Sequence, residues 1–285
     1  MLIAAFGGTG TSNCSYLPSV DVPPPVAAAA PQTHRSFDAL QQEVNDLLDQ
    51  AGATGAVTLV ELGGDQAQTW SLDGDVKFAA ASTYKLPLLM EEAQLIATGR
   101  ERSSEQVCFD TGDWEDGWYI DYKPGSCYTR GELMRRIGQN SDNTAAHMLV
   151  RDEGWTQALN DYASQHGAGE SDFYYPNLTT TNDLAHLLVN EARGGAGGDG
   201  AQARLYPLQT HTAYEDGVPA GVPDSVTVVH KVGILDDAID DAALVQGGPK
   251  GAYVLAIGTQ GPGGEPGWKL VADISRAVWQ FESTR

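Results

Sequence analysis

Apolar residues recur at helical spacing from Phe37 to Leu48 (Phe37, Leu40, Val44, Leu47, Leu48), a pattern that predicts an amphipathic first helix. Ala56 to Leu62 and Gln66 to Leu72 then read as two strands joined by Gly63-Gly64-Asp65, a hairpin signal. From Phe78 to Ile96 the chain is so apolar that little room remains for a polar face before the Glu91–Glu92 pair, which predicts a helix buried between other elements. Periodicity then lapses into a long loop, Ser103 to Tyr128, rich in aromatic and acidic residues. Its Trp114, Trp118, Tyr119 and Tyr122 are expected mainly to clamp the loop to the core. Thr129-Arg130-Gly131-Glu132 has the form of a capping box, with Thr129 as N-cap and Glu132 reaching back, opening a helix to about Gln139. Helices over Thr144 to Arg151 and Trp155 to Gln165 follow, and Thr179-Thr180-Thr181 caps another, Asn182 to Ala192, before a flexible run from Gly194 to Gly200. Past Tyr206 the period shortens: Val226 to Val232, Ala242 to Gln246 and Ala252 to Thr259 read as strands, and Trp268 to Phe281 closes as an amphipathic helix.

Strands at both ends with helices between them predict an α/β (α+β) fold: an antiparallel sheet built from both termini, flanked by N- and C-terminal helices, with an inserted all-helical lobe. The folded domain is expected over 35–285, its α/β lobe made of 35–81 and 205–285 and its helical lobe of 82–204. Residues 1–34 lack apolar periodicity and carry Pro18, Pro23, Pro24, Pro25 and Pro31, so they read as a tether or signal remnant.

Charge narrows the partners. Seventeen basic against 38 acidic residues give a net charge of −21 and a pI near 4.4. Such a surface repels phosphate backbones and anionic lipid and excludes nucleic-acid binding; its acidity maintains solubility. The histidines are scattered without metal spacing, so neither metal nor cofactor is expected, and His230 reads as a packing residue. Asp236, Asp237, Asp240 and Asp241 read as a solvated turn. No segment is long and apolar enough to span a membrane, and a monomer is expected.

Candidate chemistry begins with Ser82 and Lys85. Residues i and i+3 share one helix face, so a hydroxyl and an amine at this spacing point the same way, the arrangement of an activated nucleophile. Pro87, just beyond, removes a backbone donor and is expected to kink the helix. Ser141-Asp142-Asn143 lies directly behind the Thr129 helix, and His230-Lys231-Val232-Gly233 lies on a strand whose alternation puts Thr227, Val229 and Lys231 on one face. Cys108 and Cys127 bracket the aromatic loop and close it as a disulfide if the compartment is oxidising. Cys14 is left over; the stretch before it resembles the end of an export signal leading to a lipid-modified cysteine, although Thr11-Ser12-Asn13 matches the usual lipobox poorly and no basic n-region precedes it.

In order, spacing and element type, Ser82-x-x-Lys85, Ser141-Asp142-Asn143 and Lys231-x-Gly233 resemble the Ser-x-x-Lys, Ser-Asp-Asn and Lys-Thr-Gly elements of the serine β-lactamase and penicillin-binding-protein superfamily, closest to class A β-lactamases. The resemblance covers about residues 36 to 285 and includes Thr179 to Leu188. It implies a β-lactamase/transpeptidase-like fold and a serine hydrolase that acts outside the cytoplasm, secreted or attached to the cell envelope. Ser82 would be the nucleophile, with Lys85, its pKa lowered by burial and by Lys231, as base. Ser141 would relay a proton to the leaving nitrogen, Asn143 would bind Lys85 and the substrate amide, and Asp142 would brace the loop. Lys231 would attract a substrate carboxylate, and Gly233 would let the substrate approach the strand. The backbone N–H groups of Ser82 and Ile234 would form the oxyanion hole.

Three departures stand out. Class A enzymes carry an omega-loop Glu-x-x-Leu-Asn whose glutamate activates the deacylating water; between His166 and Thr179 this chain has a shorter loop, with Glu170 and Asp172 at unmatched positions. The third motif reads Lys-Val-Gly, without a hydroxyl at Val232, and no arginine occurs between Arg204 and Arg276 to match the usual strand arginine. Acylation is therefore expected to be intact and deacylation slow. The substrates in view are β-lactams, with a D-alanyl peptidase, amidase or esterase as one alternative and a non-catalytic β-lactam or peptidoglycan binder as another.

Overall fold

The computed structural model describes residues 36–63 and 67–284. The proposed tether and Cys14 lie outside these residues, as does part of the expected Gly63-Gly64-Asp65 turn. Helix α1 (Phe37–Ala51) is capped by the Ser36 hydroxyl, which accepts from the Ala39 N–H, and ends at Gly52 in the left-handed conformation. It leads into β1 (Thr54–Glu61) and β2 (Thr69–Leu72). The short strand β3 (Phe78–Ala79) precedes a 3₁₀ turn (Ala81–Tyr84) and helix α2 (Lys85–Ala97). Pro87 sits in the first turn of α2, where intrahelical donors are not needed, so the expected kink has no cause there.

The long loop contains a two-stranded ribbon, β4 (Gln106–Cys108) and β5 (Cys127–Thr129), with Cys108 and Cys127 directly opposite and joined by a disulfide. Helices α3 (Arg130–Asn140), α4 (Asn143–Glu153) and α5 (Trp155–Gln165) follow. Only half of the expected capping box forms. The Thr129 hydroxyl accepts from the Glu132 N–H, but the Glu132 carboxylate turns to Arg135 and Arg136, which offer charged donors one turn along. Strand β6 (Leu178–Thr179) pairs with β3, and α6 (Thr181–Ala192) is capped by Thr180. The glycine run expected to be flexible instead opens a helix, α7 (Gly198–Leu205), anchored by buried Ala201 and Leu205.

Strands β7 (Thr227–Leu235), β8 (Ala238–Gln246) and β9 (Tyr253–Gln260) join the first hairpin in one antiparallel sheet of order β2-β1-β9-β8-β7, and α8 (Gly264–Thr284) ends the chain. Pairing of β1 with β9, Leu59 opposite Leu255, unites the chain's two ends in the predicted manner. Side chains alternate across this sheet. Val57, Leu59, Leu255 and Ile257 pack on one face with Leu40 and Val44 of α1 and Ile274 and Phe281 of α8. Val60, Val229, Leu244 and Val254 face the other way, into the core shared with α2, α4 and α6. β8 begins four residues before the expected start, so Asp240 and Asp241 are fully buried strand residues and not part of a solvated turn; only Asp236 and Asp237 remain exposed at the hairpin.

Candidate active site

The serine comes from the tight turn before α2. Ala81 holds a left-handed backbone conformation (φ 43°), unusual for a residue with a side chain. It is fixed by Asn177 Nδ2, which donates to the Ala81 carbonyl at 2.9 Å, while Thr83 Oγ1 donates to the Ala80 carbonyl at 2.6 Å. Three residues per turn places Ser82 beneath Lys85, and Lys85 Nζ lies 3.0 Å from Ser82 Oγ. Lys85 also donates to the Ser141 carbonyl at 2.6 Å and to Asn143 Oδ1 at 2.5 Å, with Ser141 Oγ at 3.3 Å.

Ser141 ends α3 in the left-handed conformation (φ 54°), and Asp142 caps α4 by accepting from the Ala145 N–H at 2.8 Å. The Tyr122 hydroxyl donates to the same Asp142 oxygen at 2.6 Å, so this carboxylate faces the loop. Lys231, on the helical-lobe face of β7, donates to Ser141 Oγ at 2.9 Å and to the Val232 carbonyl at 2.8 Å. The structure thus brings Ser82, Lys85, Ser141, Asn143 and Lys231 together.

Gly233 has a further steric reason. A Cβ there would meet the Ala80 carbonyl oxygen at 2.9 Å and Thr83 Cγ2 at 3.0 Å, so strand and serine turn touch only because the side chain is missing. Behind it Asp240 is buried, and burial pushes its carboxyl well above the usual range.

Both amines are buried and short of counter-charge. Burial pushes Lys85 down to about 7, against the pull of Asp142 and Glu115. Lys231 is lowered well below the usual range, by burial first and then by Lys85. Desolvation is thus the principal cause at both amines, and the like charge of Lys85 adds to it at Lys231. A cavity of about 560 Å³ opens over Ser82, Ser141 and Asn143, walled by Gly117, Trp118, Tyr214, Val232 and Ile234. Trp118 Nε1 donates to the Tyr214 hydroxyl at 2.9 Å, bridging the walls. The aromatic loop therefore does both jobs, since Tyr122 is buried in the core while Trp118 faces the cavity. Tyr214 and Asn177 carried no periodicity or motif signal in the sequence.

The profile of the β-lactamase enzyme family matches residues 39–281. The chain belongs to the β-lactamase enzyme family. Solved structures agree. A mutant of PBP-A in an acyl-enzyme complex with penicillin G is 27% identical, with a TM-score of 0.79 over 87% of this chain and 97% of that one. A β-lactamase from Sphaerobacter thermophilus (23% identity, TM-score 0.78, 87% and 97% covered) shares the fold. So does an ancestral class A β-lactamase (20% identity, TM-score 0.74, 85% and 99% covered). Among curated proteins no sequence matches.

Within this β-lactamase-family fold, the loop before β6 brings no carboxylate to the serine. Glu170 is exposed, its backbone N–H donating to Asp183, and Asp172 pairs with Lys77 at 3.1 Å. Tyr174, in the same loop, packs edge-on to Tyr84 and to His147. His230, expected to be a packing residue, is a buried ion-pair partner of Asp241 and Glu215 on the opposite face of β7. Among the described residues no group of histidine, cysteine or acid side chains is arranged to hold a metal ion, and no helix is long and apolar enough to cross a membrane.

Proposed function

We propose that the protein is a serine hydrolase in which Ser82 is acylated by β-lactams or related amides and the acyl group is released slowly. Lys85 carries this reading: its amine is 3.0 Å from Ser82 Oγ and is pushed down to about 7 by burial, which leaves free base near neutral pH. Lys85 takes the Ser82 proton as Oγ bonds to the carbonyl carbon. The backbone N–H groups of Ser82 and Ile234 receive the oxyanion; losing one such donor typically costs about 3–4 kcal/mol of barrier. Ser141 Oγ, 2.9 Å from Lys231 Nζ and 3.3 Å from Lys85 Nζ, gives a proton to the leaving nitrogen as the C–N bond breaks and takes in its place the proton that Lys85 received from Ser82. Asn143 orients Lys85 and the substrate amide, and Gly233 opens the strand edge. Lys231 sets the potential at the carboxylate end. Family membership and the penicillin acyl-enzyme of PBP-A support this reading. The disulfide fits an extracytoplasmic setting.

A D-alanyl peptidase, amidase or esterase is the second reading; the apolar Val232 in the cavity wall, which offers a substrate carboxylate no hydroxyl, favours its amidase and esterase forms. Incubation with penicillin G followed by intact-mass measurement is expected to show a covalent adduct that the Ser82→Ala variant lacks. No adduct over hours, with no turnover, overturns the proposal. Hydrolysis of a D-Ala-D-Ala peptide without β-lactam turnover moves the assignment to the peptidase.

A further inference from the structure

The site contains a carboxylate that none of the three motifs supplies. Glu115, in the loop before β5, accepts from Asn143 Nδ2 at 2.6 Å, while the Asn143 Oδ1 atom accepts from Lys85 at 2.5 Å. One side-chain amide therefore spans the Lys85 amine and the Glu115 carboxylate. The second oxygen of Glu115 lies 3.2 Å from His147 Nε2, one turn along α4 on the same face as Asn143. His147 Nδ1 in turn meets the Asp113 carbonyl at 3.1 Å. The loop is fastened independently of the carboxylate, because the Glu115 N–H and carbonyl both bond Thr144 Oγ1, at 3.0 and 2.8 Å. Two and three residues on, Gly117 and Trp118 wall the cavity, and the Glu115 side chain is half exposed, so water reaches it.

Resting on the acyl-enzyme reading above, we infer that Glu115 is the general base that releases the acyl group from Ser82, held by Asn143 and His147. Glu115 takes one proton from a water whose oxygen bonds to the acyl carbon. The tetrahedral adduct collapses with cleavage of the C–Oγ bond, and Ser82 Oγ takes a proton from Lys85 in its ammonium form. Lys85 and Glu115 then regain their starting states by proton exchange with solvent. In sum the water's hydroxyl goes to the acyl carbon and a proton to Ser82. A base that is half in solvent, behind an asparagine, fits slow release.

Glu115→Gln tests this, since its amide oxygen still accepts from Asn143 and the backbone bonds to Thr144 persist. With penicillin G, the acylation rate of the full-length variant is expected to stay within about 3-fold of the parent, while hydrolytic release slows by about 100-fold. Hydroxylamine, which attacks an acyl group without needing a base, is expected to release the adduct from both proteins at similar rates. A merely structural lesion would slow both releases. Unchanged hydrolysis in Glu115→Gln, or equal slowing with hydroxylamine, overturns the assignment and leaves the acyl-enzyme reading standing. Absence of both adduct and penicillin G turnover on the parent protein overturns both.

Discussion

His230 and Lys231 follow one another on β7 and both are buried, yet they face opposite sides of the sheet and meet opposite environments. On the terminal-helix face, His230 Nδ1 lies 2.9 Å from Asp241 and Nε2 lies 3.2 Å from Glu215. Burial pushes the imidazole down, but Asp241 and then Glu215 outweigh it and hold His230 up at about 9. On the helical-lobe face, Lys231 meets a hydroxyl, a carbonyl and the like charge of Lys85, and its amine falls well below the usual range. A buried cation with an acid beside it fastens structure. A buried amine without one is available for proton transfer. The pair at His230 holds the segment that carries Tyr214 to the cavity, because Glu215 is the next residue and Asp241 also accepts from the Val218 N–H at 2.8 Å.

Lys85→Met breaks the reactive side. Acylation by penicillin G is expected to fall about 10²- to 10⁴-fold, the usual contribution of a positioned base. Stability should change little, since relief from burying an amine offsets the loss of its bonds to the Ser141 carbonyl and Asn143. In the parent protein the acylation rate should fall as pH drops through about 7, where Lys85 gains its proton, a limb the variant should lack. Stopped-flow acylation and thermal unfolding together check this; a variant that unfolds early yet acylates normally per folded molecule would reverse the division.

Asp241→Asn breaks the structural side. It takes the fully buried carboxylate away from a buried imidazolium and leaves only Glu215 beside it, and removing one partner of such a pair costs about 3–5 kcal/mol. Thermal unfolding should therefore move down by roughly 10 °C, while the acylation rate of the folded fraction stays within about 3-fold. The pH dependence sharpens the contrast. Because His230 is raised from about 6.5 to about 9, its pairing stabilises fully below 6.5 and the benefit is lost as pH rises through 9. The parent protein should lose stability over that window, and Asp241→Asn should lose less.

Why one side of β7 could be read from the sequence and the other could not follows from the same chemistry. Ser82-x-x-Lys85, Ser141-Asp142-Asn143 and Lys231-x-Gly233 are local, each pinned within one turn or strand, so their order and spacing carried the resemblance that implied a common site. The α+β layout was equally legible, since strand periods mark both ends of the folded chain and helical periods most of what lies between, outside the Ser103 to Tyr128 loop and the glycine run. Glu215 meeting His230, and Glu115 meeting Asn143, depend on where loops return in space, and acidic loop residues are unremarkable in a chain with 38 acids. Asp240 and Asp241 were misread for a related reason: polarity places an aspartate outside unless a distant partner or a retained proton is known.

The helical lobe offers the mirror case, acids without enough cation, and the smallest expected effect. Arg130, at the start of α3, donates to Glu92 at 2.5 Å and to Asp152, and burial works against it while these acids raise its pKa. Glu153 at the end of α4 has no cation of its own; burial first, then Glu92 and Glu91, push it up to about 12, so it keeps a proton at neutral pH. The sign follows. Below about pH 4.5 folded and unfolded chains both hold this proton and it costs nothing; above that the unfolded chain ionises while the folded one does not, and stability falls with rising pH. Glu153→Gln removes the dependence while keeping a donor for its neighbours. At pH 8 it should stabilise by about 1–2 kcal/mol, or raise the unfolding temperature by roughly 2–8 °C. At pH 4 it should change little. A fall in unfolding temperature at pH 8 would show that Glu153 is ionised and paired in the folded protein, like Asp241, and not held neutral by burial.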